Sequence, residues 1–230
     1  MLRRVVFGIF SLIGIATAAA AAMACAAAID GSGSWGVAVY AVLKSIVATA
    51  FVVLVAIRPD SRRPSRDPLA FAACIMAIAP GLALQPPADN AAGAWNVVAG
   101  EALTIAGGLW MILSIVYLGR CFGVLPEARG LVTRGPYGLI RHPLYLGELT
   151  AFAGLVIASP RTLNVLAGAV FAIGQASRMR MEERALAEAF PEYAAYASVT
   201  PRLIPRMARR SRNAVGVPRE VPATPTVGVQ

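Results

Sequence analysis

Of this chain's 230 residues, 57% are hydrophobic and 14% are charged, whereas soluble domains average roughly a quarter charged. Mean hydropathy is +0.65. An apolar excess this large exceeds what one buried core absorbs, which excludes an ordinary soluble domain. The net charge of +9, from 21 Lys and Arg against 12 Asp and Glu, is spread over separate loops, which argues against a nucleic-acid surface.

The apolar residues fall in blocks. Residues 5–29 form the first, and 36–57 the second, broken only by Lys44. A shorter block covers 69–84, and a longer one 97–118 is interrupted by Glu101. Two blocks of about 15 residues, 144–158 and 162–176, flank Ser159-Pro160-Arg161. A helix needs about 20 apolar residues to cross a bilayer. The first, second and fourth blocks meet that length, and the third spans with modest thinning. The last two are expected as a tight helical hairpin or a re-entrant pair. The expected fold is therefore an all-α integral membrane protein with about six transmembrane helices.

Charge orients these spans, because cytoplasmic loops collect Lys and Arg. With the N-terminus inside, Arg3, Arg4, Arg58, Arg62, Arg63, Arg66, Arg120, Arg129, Arg134, Arg141 and the nine arginines from Arg178 to Arg219 are all cytoplasmic. Of the 21 basic residues, only Arg161 falls outside and only Lys44 within a span. Both termini are thus expected in the cytoplasm, and an anionic inner leaflet would favour the arrangement. The loops and the Ala/Arg-rich composition point to a bacterial inner membrane. Residues 1–29 resemble a secretory signal, but the apolar run is long for one, and a retained span is expected.

Between the fourth and fifth blocks, 119–143 is a polar, Gly- and Pro-rich stretch, and loops of that length tend to be functional. After 176 a polar helix over about 178–198 is expected, with Met179, Leu186, Phe190 and Tyr193 on one face. It would lie along the membrane surface. Residues 207–230 read as a disordered tail.

Several motifs have plain explanations. Gly31-Ser32-Gly33-Ser34-Trp35-Gly36 fits the dinucleotide fingerprint literally, but no strand precedes it, so a turn is expected. Lys44 and Glu101 sit at similar depth and are expected to pair or to reach for the outer surface. Cys25, Cys74 and Cys121 have no paired spacing, two lie in apolar blocks, and they read as buried thiols without a redox or metal role.

The informative stretch runs from Gly130 to Gly147. It contains Leu131-Val132-Thr133, Gly135-Pro136-Tyr137 and Arg141-His142-Pro143-Leu144-Tyr145, with the only histidine of the chain. Pro143 suits the first turn of the next span, where its missing N–H costs little. That sets Arg141 and His142 at a helix N-terminus, where free N–H groups favour an anion. Tyr137 and Tyr145 offer flat surfaces for a heteroaromatic ring. A second group, Arg178-Met179-Arg180-Met181-Glu182-Glu183, reads as a helix-surface ion pair between Arg178 and Glu182. Alternatively it supplies a carboxylate for a ligand's ammonium or hydroxyls and an Arg that orients a carboxylate.

These two groups, with Leu186, Phe190, Tyr193, Tyr196 and the run Pro201 to Pro205, resemble the isoprenylcysteine carboxyl methyltransferase family over about 119–206. The resemblance implies an integral-membrane enzyme using S-adenosylmethionine in a cytoplasmic-side pocket, closed by the long loop and the C-terminal helix. It implies cofactor contacts from Leu131, Val132, Tyr137, Arg141, His142, Tyr145 and Glu182, supported by Glu183, with Arg178 holding the acceptor's carboxylate. Arg129 stands where eukaryotic members often have His, and Pro191 where a Gly is usual. On this reading 1–118 is an N-terminal four-helix membrane region and 119–206 the methyltransferase core with its amphipathic C-terminal helix. The partners implied are membrane lipids and a lipophilic or prenylated acceptor, with no nucleic acid and no metal. Phospholipid N-methylation and thiol S-methylation share the pattern. An NADPH-dependent sterol-type reductase shares Arg-His-Pro-x-Tyr, but usually carries Asn before the Tyr, where this chain has Leu144.

Overall fold

A computed structural model describes residues 2–31, 33, 35–57, 67–82, 84, 95–123 and 128–205. Among these residues it is helical, with no strand element. Helices α1 (Leu2–Ile29) and α2 (Trp35–Ile57) form an antiparallel hairpin across the glycine motif, where Gly31 takes a φ of +81°. Helix α3 (Pro68–Ile78) starts at the Asp67 cap, whose side chain accepts from the Leu69 N–H, and runs into a 3-10 turn over Ala79–Leu82. Helix α4 (Trp95–Leu118) follows. Then come the short α5 (Pro136–Leu139), α6 (Pro143–Ala158), the 28-residue α7 (Thr162–Ala189) and α8 (Tyr193–Val199).

Among the described residues, two segments are long and apolar enough to cross a membrane, Ser11–Ile29 and Trp95–Cys121, while Ala41–Leu54, Pro68–Ala77 and Pro143–Ala158 are shorter apolar helices. The side chain of Lys44, the loops at 58–66 and 85–94, and the tail 207–230 lie outside the described residues.

The predicted hairpin takes a different form. Helices α6 and α7 do meet, and the Phe152 and Phe171 rings stack at 4.2 Å. However, α6 packs more extensively on α4, and α7 on α3. Small residues explain the first pairing. Gly100 and Gly107 of α4 and Gly147 and Gly154 of α6 recur at seven-residue spacing and face each other. A Cβ on Gly107 would sit 2.5 Å from the Ala151 backbone nitrogen, and one on Gly154 would overlap Thr104 Oγ1. Close backbone approach of this kind is how helices associate in lipid, where apolar contact alone gives no preference. Thr104 Oγ1 donates to Gly100 O (2.8 Å) and also lies 3.2 Å from Ala151 O. Trp110 Nε1 donates to Pro143 O at 2.9 Å, tying α4 to the start of α6.

The separate helix predicted over 178–198 is corrected. The charged stretch from Arg178 to Ala189 continues α7 without a break. Composition changes near 177, but the backbone does not. The break comes at Phe190-Pro191-Glu192, where Pro191 has no N–H for a helical bond. The apolar face itself is as read: Phe190 and Tyr193 are buried with Ala128, and Leu131, Leu186 and Tyr196 pack around them. The face therefore covers the long loop.

Candidate active site

Three elements converge at the charged end of α7. The first is the loop before α6. Its turn at Gly135 has a φ of +60°, a region that L side chains rarely adopt, and the Tyr117 ring fills the space a Cβ would need. Pro136 then starts α5, Ile140 is fully buried in extended backbone, and Pro143 starts α6, as its sequence position predicts.

The second element is the last described segment. The Arg141 N–H donates to Pro201 O (2.8 Å) and the His142 N–H to Arg202 O (3.1 Å). Of the amides at this helix start, that of the N-cap His142 is therefore taken by the chain itself, together with that of Arg141 just before it.

The third element is α7. Glu183 gathers three side chains. His142 Nε2 donates to its Oε1 at 3.0 Å, Arg141 Nη1 lies 3.2 Å from the same oxygen, and Arg202 bonds both carboxylate oxygens. Burial alone would raise the Glu183 pKa. The hydrogen bonds from His142 and Arg202, with the Arg141 charge, overcome it and hold the carboxyl at about 2. An ionised carboxylate only accepts, so it fixes the proton on His142 Nε2. One turn away, Tyr145 donates to Glu182 Oε2 at 2.7 Å. The His142 ring meets Tyr145 edge-on, with centroids 5.3 Å apart. Tyr196 donates to the Tyr137 carbonyl at 2.7 Å, and burial pushes the Tyr196 phenol up to about 12.

These groups line two adjoining, partly open clefts. Both are lined by Leu118, Tyr137, Arg141, His142 and Glu182. Tyr145 and Arg178 complete the first, and Leu131, Val132, Leu186 and Tyr196 the second. The structure thus brings Leu131, Val132, Tyr137, Arg141, His142, Tyr145, Arg178 and Glu182 to one pair of adjoining clefts, with Glu183 behind the wall. The Tyr137 hydroxyl is buried against it without a hydrogen-bond partner. Buried hydroxyls are nearly always satisfied, so this one fits a polar ligand atom.

Sequence reasoning missed the neighbours of Arg178. Its guanidinium lies over the Tyr145 ring, 5.1 Å from the centroid. Nη1 donates to Gln175 Oε1 at 2.9 Å and lies 3.8 Å from Glu148 Oε2, and Gln175 Nε2 donates to that same carboxylate at 2.5 Å. Glu148 was legible as a third charge inside an apolar block, beside Lys44 and Glu101. Arg202 was visible only as part of a terminal Pro-Arg-Leu-Ile-Pro run. Among the described residues, no three His, Cys, Asp or Glu come together as a metal-ligand group.

The chain is 38% identical over 109 residues to the cobalt-zinc-cadmium resistance protein CzcN of Cupriavidus metallidurans. It is 34% identical over 109 residues to the nickel-cobalt-cadmium resistance protein NccN of Alcaligenes xylosoxydans xylosoxydans. Each alignment covers 47% of this chain and 47% of the relative, so the chain spans about half the length of the curated relatives it matches. The segment that holds α4, the long loop, α6, α7 and therefore the pocket, residues 94–193, matches the family model described as phospholipid methyltransferase.

Proposed function

We propose that the protein is an S-adenosylmethionine-dependent membrane methyltransferase acting on a lipophilic acceptor. The observation that carries the reading is the pair of adjoining clefts lined by the loop, α6 and α7, most of whose lining residues fall inside the segment that matches a methyltransferase family model. Bound S-adenosylmethionine would supply an electrophilic methyl on a sulfonium, whose neutral leaving sulfur needs little acid catalysis. The chain's own work is then binding and orientation. Leu131 and Val132 offer apolar contact to a purine, and Tyr137 offers its unpartnered hydroxyl. Glu182, already accepting from Tyr145, has lone pairs for an ammonium or ribose hydroxyls. Arg141 and His142, fixed by Glu183, form the wall opposite. Arg178 holds the acceptor's head group.

The acceptor implied by the resemblance is an isoprenylcysteine-like carboxylate, methylated on oxygen. A second reading, N-methylation of a phospholipid or S-methylation of a thiol, is favoured by Glu148, which already gives Arg178 a carboxylate partner. The arginine-rich loops support cytoplasmic termini in a bacterial inner membrane.

Calorimetry of the purified protein with S-adenosylmethionine and with NADPH tests the reading. Binding of the first alone is expected. Binding of NADPH without S-adenosylmethionine would point to the reductase and overturn it. Glu182→Ala should weaken S-adenosylmethionine by about tenfold or more, the scale of a lost charge-assisted hydrogen bond. Unchanged affinity removes Glu182 from the site.

A further inference from the structure

Helices α6 and α7 are apolar along the stretch where they approach each other, yet Glu148, Gln175 and Arg178 meet there. Gln175 is almost fully buried at 1% exposure, and the Glu148 and Arg178 side chains are 16% and 12% exposed. Charges in such surroundings are costly and persist where they have a partner and a task. Gln175 bridges the pair, donating to Glu148 and accepting from Arg178, so that Nη1 is turned to the helix interface. The flat face of the guanidinium rests on Tyr145, whose hydroxyl is held by Glu182. Arg178 lines the pocket, whereas Glu148 does not.

A cation in a pocket wall attracts a carboxylate in proportion to the charge left uncompensated. Glu148 reduces that charge from behind without touching a ligand. We propose that Glu148, through Gln175, is a positioning residue for Arg178 and sets the positive charge that the acceptor's head group meets. The pair thereby determines acceptor specificity by charge, weakening the grip on carboxylates relative to uncharged heads. Selection then comes from a compensating charge supplied by the protein, a form of discrimination against one partner class. This inference deepens the methyltransferase reading and rests on it for the identity of the pocket.

The test uses the full chain in detergent or nanodiscs and two probes with the same lipid tail, N-acetyl-S-farnesylcysteine and its uncharged methyl ester. Calorimetry gives the ratio of their affinities without added cofactor. Glu148→Gln keeps the shape and hydrogen-bonding capacity and removes the charge. It should shift the ratio toward the carboxylate by about tenfold, as an exposed cation in a semi-dry wall would. Glu148→Asp should return the ratio close to wild type. Gln175→Met keeps both charges and removes the bridge, and it should shift the ratio in the same direction by a smaller factor. It also serves if Glu148→Gln does not fold. S-adenosylmethionine affinity should stay within about twofold in all three, since none of these residues lines the cavities except through Arg178. An unchanged carboxylate-to-ester ratio in the folded variants overturns the proposal. Loss of S-adenosylmethionine binding in the wild type would instead overturn the underlying function, a result distinguishable because the ratio is read without it.

Discussion

The α1–α2 hairpin and the α4–α6–α7 group are both apolar, but they are held together differently. In the hairpin, small residues such as Ala21, Ala28, Ala38 and Ala48 are buried, and large ones such as Leu12, Ile15 and Met23 point outward. The Thr17 hydroxyl donates to Gly14 O within α1. In the second group, glycines bring backbones into contact, and hydrogen bonds cross between elements from Trp110, Tyr145, Gln175 and Tyr196. Packing that only has to stay in lipid needs composition, whereas packing that shapes a pocket needs directional contacts at fixed register.

Substitution at equivalent-looking glycines breaks the comparison most sharply. Gly154→Leu drives a side chain into Thr104 and the Gly100 carbonyl. Backbone cannot yield as a side chain can, so the cost should reach the upper end of overpacking, about 3 kcal/mol, or prevent folding. Gly8→Leu in α1 meets nothing within 4 Å, and it should change stability by less than about 0.5 kcal/mol. Thermal unfolding in detergent compares them, and equal shifts in Tm would erase the distinction between the regions.

A smaller, pH-dependent effect sharpens it. Glu183 has a carboxyl pKa lowered from an ordinary 4.5 to about 2. A lowered native pKa means that the unfolded chain takes up the proton first as pH falls. The contribution of Glu183 is therefore complete above about pH 4.5 and declines toward pH 2. The stability gap between wild type and Glu183→Gln should be constant near neutrality and close across that acid window. A gap that stays constant down to pH 2 would mean that the network adds nothing through charge. Among the changes around the pocket, Tyr196→Phe is the mildest. It deletes one hydrogen bond to the Tyr137 carbonyl, for about 1 kcal/mol, and should weaken pocket binding through the loop with little change in Tm.

Much of this was legible in the amino-acid order, for physical reasons. Pro143 marks a helix start because proline suits that position in any context, and α6 begins there. The Met179-to-Tyr193 stripe reads correctly as a buried face because helical spacing is local. What failed was also local in origin. The change from apolar to charged near 177 reads as a boundary, but hydrogen bonds along α7 do not depend on side-chain polarity, and only Pro191 ends it. The capping of α6 by residues sixty positions later leaves no periodic trace, and neither does the pairing of Glu148 with Arg178. A spacing argument sees neighbours in sequence, while these contacts exist only once the helices have docked.

The carbonyls of Pro201 and Arg202 that accept from Arg141 and His142 give the pocket a place in time. During synthesis the loop and α6 are made some sixty residues before the segment that seals them. The wall containing His142 is therefore finished only when the chain has been translated past 202. Until then the Arg141 and His142 amides lack these two acceptors.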